Sequence, residues 1–476
     1  MNSNDASFRK PLETALQHAL KYLEKGDDGD SIAATATLVE LRTKLNLPLT
    51  AEGVDPTTVV DELVAGIAGG LLRSRGGRFF AWVIGGSLPA SLAADWMTSI
   101  WDQNAGLYST SPAAAVVEET AGAWLKQLLQ VPQEASFALV TGCQMAHVTC
   151  LTAARHGLLA AKGWDVVGDG LAGSPQIRVL TSGEVHSSTM RAVRLLGLGE
   201  KHVVKLAVDA QGRLMREALE TALAEEPDAP TLVVLQAGDL HLGAYDDFRT
   251  LIPLAQQSGA WVHIDGAFGL WAAASARHRH RMDGAEMADS WSTDGHKWLN
   301  TPYDCGYAFV RDAKVHRDSL ALRASYVTMS DAARDEMDWN PEWSRRARGF
   351  ATYAAIRELG RDGVEALVDR CCEHAHGIVM GVGALEGAEV VWEPTINQGM
   401  LRFIDPAAGA TESDHDAYTE WVIAEILRSG EAFFSGSTWR GRKVMRVSVC
   451  GWQTSADDVV RVVSCVGRIL GRRLQA

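Results

Sequence analysis

Apolar and polar positions along this chain fall into blocks whose period changes several times. Residues 8–24 place Leu12, Leu16, Ala19, Leu20 and Leu23 near helical spacing, the pattern of an amphipathic helix. A Gly/Asp-rich break at 26–30 separates it from a second helical stretch and from another over 55–72. Residues 90–100 and 113–129 also read as helices. Short runs rich in β-branched residues, at 137–140, 177–180, 232–235, 261–264 and 307–310, read as buried strands. Beyond 350, helices at 353–359 and 364–378 give way to strands at 390–392, 400–403 and 445–449, with residues 438–442 in a loop. Residues 321–350 are polar, charge-dense and aperiodic, so they read as a long loop, a length typical of lids or disordered segments.

This order predicts an α/β fold with a mostly parallel central sheet and helices on both faces. An N-terminal helical segment (1–90) precedes the large domain (91–345), and a small α+β domain (346–476) follows. The N-terminal segment has few core positions and must pack on another surface, its own chain or a second one.

The strand at 261–264 runs into Asp265-Gly266-Ala267, and Lys297 follows His296 before the strand at 307–310. In a parallel sheet, ligands gather at the carboxyl ends of strands, so Asp265 and Lys297 are expected to face one pocket. The pair suits a pyridine-ring cofactor carrying an aldehyde. A lysine amine condenses with the aldehyde as a Schiff base, and a carboxylate keeps the ring nitrogen protonated. Taken singly, each residue is more simply a helix cap or a surface lysine. Thr141-Gly142-Cys143 follows a strand and opens a helix, which presents free N–H groups to an anion but is also the form of a plain connection. His186, between a strand and a helix, is on its own a cap or a loop stabiliser. Asp246 is read as a helix cap.

Composition narrows the function classes. The chain has 476 residues, 47% hydrophobic and 22% charged, as expected of a soluble enzyme with more than one domain. A net charge of −14 disfavours nucleic acid and anionic membrane as partners. No apolar run reaches membrane-span length, and the first twenty residues lack the apolar core of a secretory signal. Seven cysteines, an odd count without metal-ligand spacing, suggest free thiols in a reducing cytoplasm and no metal.

The run His296-Lys297-Trp298, set behind strand-Asp265-Gly266-Ala267, resembles the group II pyridoxal-phosphate (PLP) dependent decarboxylases related to aromatic-amino-acid and glutamate decarboxylases. The resemblance extends from about Phe79 to the C-terminus. It implies a fold-type I enzyme, PLP as cofactor, an amino-acid substrate and a homodimer interlocked through the N-terminal segment. Carried over by position, Lys297 bears the cofactor and Asp265 meets the ring nitrogen. His186 stacks on the ring, and Tyr326 in the 321–350 loop protonates the substrate carbon. Thr141, Gly142, Cys143, Ala267, His296 and Ser344 complete the cofactor contacts, with Ser344-Arg345-Arg346 bringing an N–H and positive charge to the neighbouring subunit's phosphate. Trp82, Val83 and Ile84 line the substrate from one side, and Trp101, Asn104 and Leu107 from the other. That lining is largely apolar and without Lys or Arg, which favours an aromatic over an acidic substrate, large aliphatic ones next.

The chain also departs from the family pattern. Cys143 stands where a serine is often found, Asp239-Leu240-His241 where Thr or Asn is usual, and Asp294 where Asn precedes Pro-His-Lys. An ionised Asp294 would repel a phosphate, so it is expected to turn away, to be bridged by a cation, or to leave the grip to backbone N–H groups. Arg446 is read as structural, because a decarboxylase leaves the departing carboxylate without a tight cationic partner. The competing readings are an aldehyde synthase on the same scaffold, an aminotransferase, and a non-catalytic dimer.

Overall fold

In the computed structural model, which describes residues 3–24, 31–322 and 333–474, the buried apolar runs become a seven-stranded sheet. Its strands are β1 (Ser136–Val140), β2 (Arg178–Ser182), β3 (Val203–Leu206), β4 (Thr231–Gln236), β5 (Trp261–Asp265), β6 (Ser290–Asp294) and β7 (Gly306–Val310). They are ordered β1-β7-β6-β5-β4-β2-β3, and β7 alone runs against its neighbours. Helices cover both faces, so the strands are buried on both sides and read as continuous apolar runs. β6 is the exception in composition. Ser290, Ser292 and Thr293 are fully buried there, which hid the strand from a search for apolar residues.

A second sheet, all antiparallel, follows in the order β10-β11-β9-β8: β8 (Ala388–Trp392), β9 (Gln398–Phe403), β10 (Ser435–Trp439) and β11 (Arg442–Ser448). Residues 438–442 are therefore mostly strand, not loop. Trp439 pairs with Arg442, and Arg440-Gly441, both at positive φ (46° and 80°), form the two-residue hairpin turn that matches strand twist. The expected pair of helices after 350 is a single run, Gly349–Gly383, broken at Gly360 (φ 61°, ψ −175°), a conformation that only glycine adopts cheaply.

Two local expectations are corrected. Asp247, not Asp246, caps the Phe248–Gln257 helix. Asp246 instead accepts the N–H groups of Leu214 and Gln236 at 2.7 and 2.8 Å, and burial raises its pKa to about 6. Nor do Arg345 and Arg346 hold free charge for a neighbouring phosphate. Arg345 is buried and bidentate to Glu118 (2.8 and 2.9 Å), and Arg346 pairs with Asp95 at 2.8 Å. Both charges are thus neutralised within the chain.

The N-terminal Ser3–Glu24 helix packs beside the Pro56–Ile67 helix, yet Leu12, Leu16 and Leu20 each remain 45–48% exposed. Trp96, Met97, Ile100 and Trp101 leave a second apolar stripe open on the Pro89–Trp101 helix. All seven cysteines are buried and unpaired. No helix among the described residues is long and apolar enough to cross a membrane.

Candidate active site

The parallel register sets Gln236 beside Asp265 and Asp265 beside Ser292, so Asp265 and Asp294 end adjacent strands. The turn after β6 carries His296 and Lys297 back over these ends. Lys297 Nζ lies 3.1 Å from Asp294 Oδ2. Burial alone would lower the lysine's pKa, but Asp294, and after it Cys143, raise it on balance. Asp294 therefore does not turn away. Its Oδ1 also accepts the Cys143 N–H at 2.5 Å and lies 3.4 Å from His296 Nε2. His296 Nδ1 accepts the Cys305 N–H at 3.2 Å, and its ring stacks on Tyr303 at 4.3 Å.

Asp265 is surrounded by donors. Thr189 Oγ1–H donates to Oδ2 at 3.1 Å, the Ala267 N–H to Oδ1 at 3.2 Å, and His147 Nε2 lies 3.3 Å from Oδ2. Burial pushes this carboxyl's pKa up, but His147, followed by His186 and His263, brings it well below the usual range. Cys143 Sγ is 4.0 Å from Asp265 Oδ1. Burial, then Asp265 and Asp294, push the thiol far up, so it stays protonated.

Tight approaches fix this arrangement. A Cβ on Gly85 would fall 1.9 Å from the Lys297 carbonyl oxygen, and one on Gly306 would fall 2.5 Å from the Gly142 backbone. Thr141 and Gly142 lead from β1 into the Cys143–Ala160 helix, whose start faces Asp294 and His296. In the first turn of that helix, the Gln144 side-chain nitrogen is buried with no hydrogen-bond partner among the described residues. An unspent buried donor at a helix N-terminus is what an incoming phosphate requires. A buried amine, an ionised carboxylate and this anion seat together fit PLP.

His186 caps the Ser187–Leu195 helix, its Nδ1 accepting the Ser188 N–H at 3.2 Å, and it lies close enough to Asp265 to lower that group's pKa. The cap reading holds, and the same ring faces Asp265. Trp82 is 50% exposed and packs on Phe433, while Val83 is buried. Both adopt positive φ (53° and 57°), strained for non-glycine residues. Trp101, 45% exposed, packs edge-on against Phe350, and Asn104 bonds the exposed Ser344 at 3.4 Å. Asn104 and Ser344 thus sit together, with no hydrogen bond to the Lys297 cluster among the described residues. Leu107 lies in the same loop as Asn104, and Ile84 follows Val83. Tyr326 lies outside the described residues.

Asp239 holds its own turn, accepting N–H groups of His241, Leu242 and Ala244. Arg446 is buried and donates to the Leu240 carbonyl at 2.7 Å. His147, His263, Thr189 and Gln144 escaped sequence reading. The available signal was spacing: His147 lies one helical turn after Cys143, and His263 lies two residues before Asp265, on the same strand face.

The fold and this cluster define a PLP-dependent carboxy-lyase. The chain belongs to the family described by the pyridoxal-dependent decarboxylase conserved domain, which matches residues 40–403. It is 28% identical to L-2,4-diaminobutyrate decarboxylase of Rhizobium meliloti (strain 1021), over 98% of this chain and 97% of that one. It is 24% identical to aromatic-L-amino-acid decarboxylase of Bacillus atrophaeus, over 89% and 87%. The crystal structure of Oryza sativa TDC with PLP and tryptamine shares the fold, with a TM-score of 0.91, 23% identity and 99% of each chain covered.

Proposed function

We propose that the protein decarboxylates an L-amino acid with an aromatic side chain, as a cytoplasmic homodimer. The observation that carries this reading is the convergence of Lys297 and Asp265 on one buried cluster, beside a helix start whose Gln144 side-chain nitrogen is buried without a partner among the described residues. Bound PLP supplies an aldehyde for the substrate amine and a ring that takes up the electron pair left when CO₂ departs.

The chain's residues do the rest. Lys297 Nζ presents the amine, and Asp265 accepts a hydrogen bond from the ring nitrogen. Ala267 keeps the space beside Asp265 free of a large side chain. Gln144 and the helix start receive the phosphate. His186 stands at the rim to orient the substrate carboxylate, and Tyr326 returns the proton to carbon. The uncovered apolar stripes and the Asn104–Ser344 pair support a second copy completing the site. The buried free thiols suit a reducing compartment. A diaminobutyrate-like substrate is the second reading, favoured by the Rhizobium meliloti relative and by the Glu184 carboxyl two residues from His186.

The test is a CO₂-release screen of the proteinogenic amino acids, DOPA and 2,4-diaminobutyrate with PLP supplied, with ammonia and peroxide followed alongside. Release of CO₂ and amine from aromatic substrates is expected; peroxide with ammonia would make it an aldehyde synthase. Lys297→Ala should lose both turnover and the visible absorption of the bound cofactor. A catalytically active Lys297→Ala protein would refute the assignment.

A further inference from the structure

Two fully buried histidines stand behind Asp265, and the proposed chemistry uses neither. A buried imidazole is costly unless both nitrogens find partners, and here both rings do. His147 Nε2 lies 3.3 Å from Asp265 Oδ2, and His147 Nδ1 lies 3.0 Å from His263 Nε2. His263 Nδ1 lies 2.9 Å from Ser290 Oγ, which also accepts the Trp261 indole N–H at 3.0 Å. Ser292 Oγ flanks the junction, 3.2 Å from His147 Nδ1 and 3.4 Å from His263 Nε2.

Proton bookkeeping gives this row a direction. An indole N–H only donates, so Ser290 accepts there and keeps its own O–H for His263 Nδ1; its second lone pair is what a His263 Nδ1–H would use if the row ran the other way. Burial holds His263 neutral, its pKa lowered to about 3. A neutral His263 then carries its hydrogen on Nε2 and donates to His147 Nδ1. His147 in turn carries its hydrogen on Nε2 and donates to Asp265. Run the other way, the row turns a bare Nε2 toward Asp265. Among the described residues that leaves it only the Cys143 thiol and the Thr189 hydroxyl as donors, each 3.5 Å away and the second already donating to Asp265 Oδ2 at 3.1 Å. The remaining ionisable groups facing Asp265 are Cys143 on the helix, His186 at the rim and Lys297 on the turn.

We propose that Trp261, Ser290, His263 and His147 form a one-way hydrogen-bond wire that keeps Asp265 a carboxylate, with the two histidines acting as positioning residues. The inference rests on Asp265 meeting the cofactor ring. Its structural half, the tautomers, is independent of that reading. Such chains polarise each other, which strengthens the last donation.

The first test uses cofactor-free protein labelled with ¹⁵N-histidine. Ring correlation spectra, assigned by the signals lost in His147→Asn and His263→Gln, should show both rings neutral with hydrogen on Nε2 at neutral pH. Hydrogen on His263 Nδ1, or a doubly protonated His147, would overturn the wire. Trp261→Phe, which removes only the indole donor, should leave the fold intact and yield a mixture of His263 tautomers; an unchanged His263 signal would also overturn it.

With PLP loaded, His263→Phe should lower kcat about tenfold or more with KM little changed and should alter the cofactor's visible spectrum. His263→Gln, whose amide N–H reaches the place of Nε2, should recover most of the loss. Equal loss in both variants at equal cofactor content would make His263 merely structural. If the wild-type chain takes up no PLP, the proposed function fails, while the tautomer spectra still decide the wire.

Discussion

Asp265 and Asp294 end neighbouring strands, and both are buried, yet their surroundings differ in kind. Asp265 is held by the Thr189 hydroxyl, the Ala267 N–H and His147. Asp294 divides its oxygens between the Cys143 N–H, His296 and the amine of Lys297. The first carboxylate leans on groups that reaction at the lysine leaves untouched. The second leans on the lysine itself, so any chemistry that alters the charge of Lys297 forces Asp294 to find a new partner. One acid is a fixed post, and the other is bound to a partner whose charge can change.

The sharpest way to break this contrast is to delete the fixed post. Asp265→Ala should cost about a hundredfold to a thousandfold in kcat, measured as CO₂ release at saturating PLP. The same variant carries a stability signature. The folded chain holds Asp265 below the ordinary aspartate value of 3.8, so its contribution is fully present above that pH. It is lost as pH falls toward the depressed folded value. Acid melting curves of Asp265→Ala should therefore decline less steeply than those of the wild type.

Next in size is the anion seat. Gln144→Ala should weaken PLP about tenfold, the worth of a hydrogen bond to a charged group, and leave pyridoxal without its phosphate unaffected. The smallest effect belongs to the second acid. Asp294→Asn removes a like charge and should tighten PLP about threefold; a loss of affinity instead would show that the carboxylate is needed where it is. Titration of cofactor fluorescence reads both constants.

Much of the contrast was legible before the fold was known. Asp265 ends an apolar strand and Lys297 sits in a distinctive run, so local patterns located them. β6 was not legible as a strand because its serines and threonine are satisfied by partners inside the protein, and composition cannot report that. His147 and His263 were hidden for a related reason: their meaning depends on a helix and a strand facing each other. Arg345 was expected to carry its charge to a neighbouring phosphate because its partner, Glu118, lies 227 residues away in sequence. Asp246 and Asp247 differ by one position, finer than a capping pattern resolves.

The missing side chain at Gly85 bears on any attempt to retune this enzyme. With no room for even one carbon against the Lys297 carbonyl, the arm that bears Trp82 and Val83 is packed hard against the backbone of the lysine turn. Redesigning that arm would shift the backbone that carries Lys297 with it. The Trp101–Leu107 side is tied elsewhere: a Cβ on Gly106 would fall 2.4 Å from the Trp343 carbonyl oxygen, and the Ala105 N–H donates to the Arg345 carbonyl at 3.0 Å, so rebuilding that side shifts the 343–345 segment rather than the lysine.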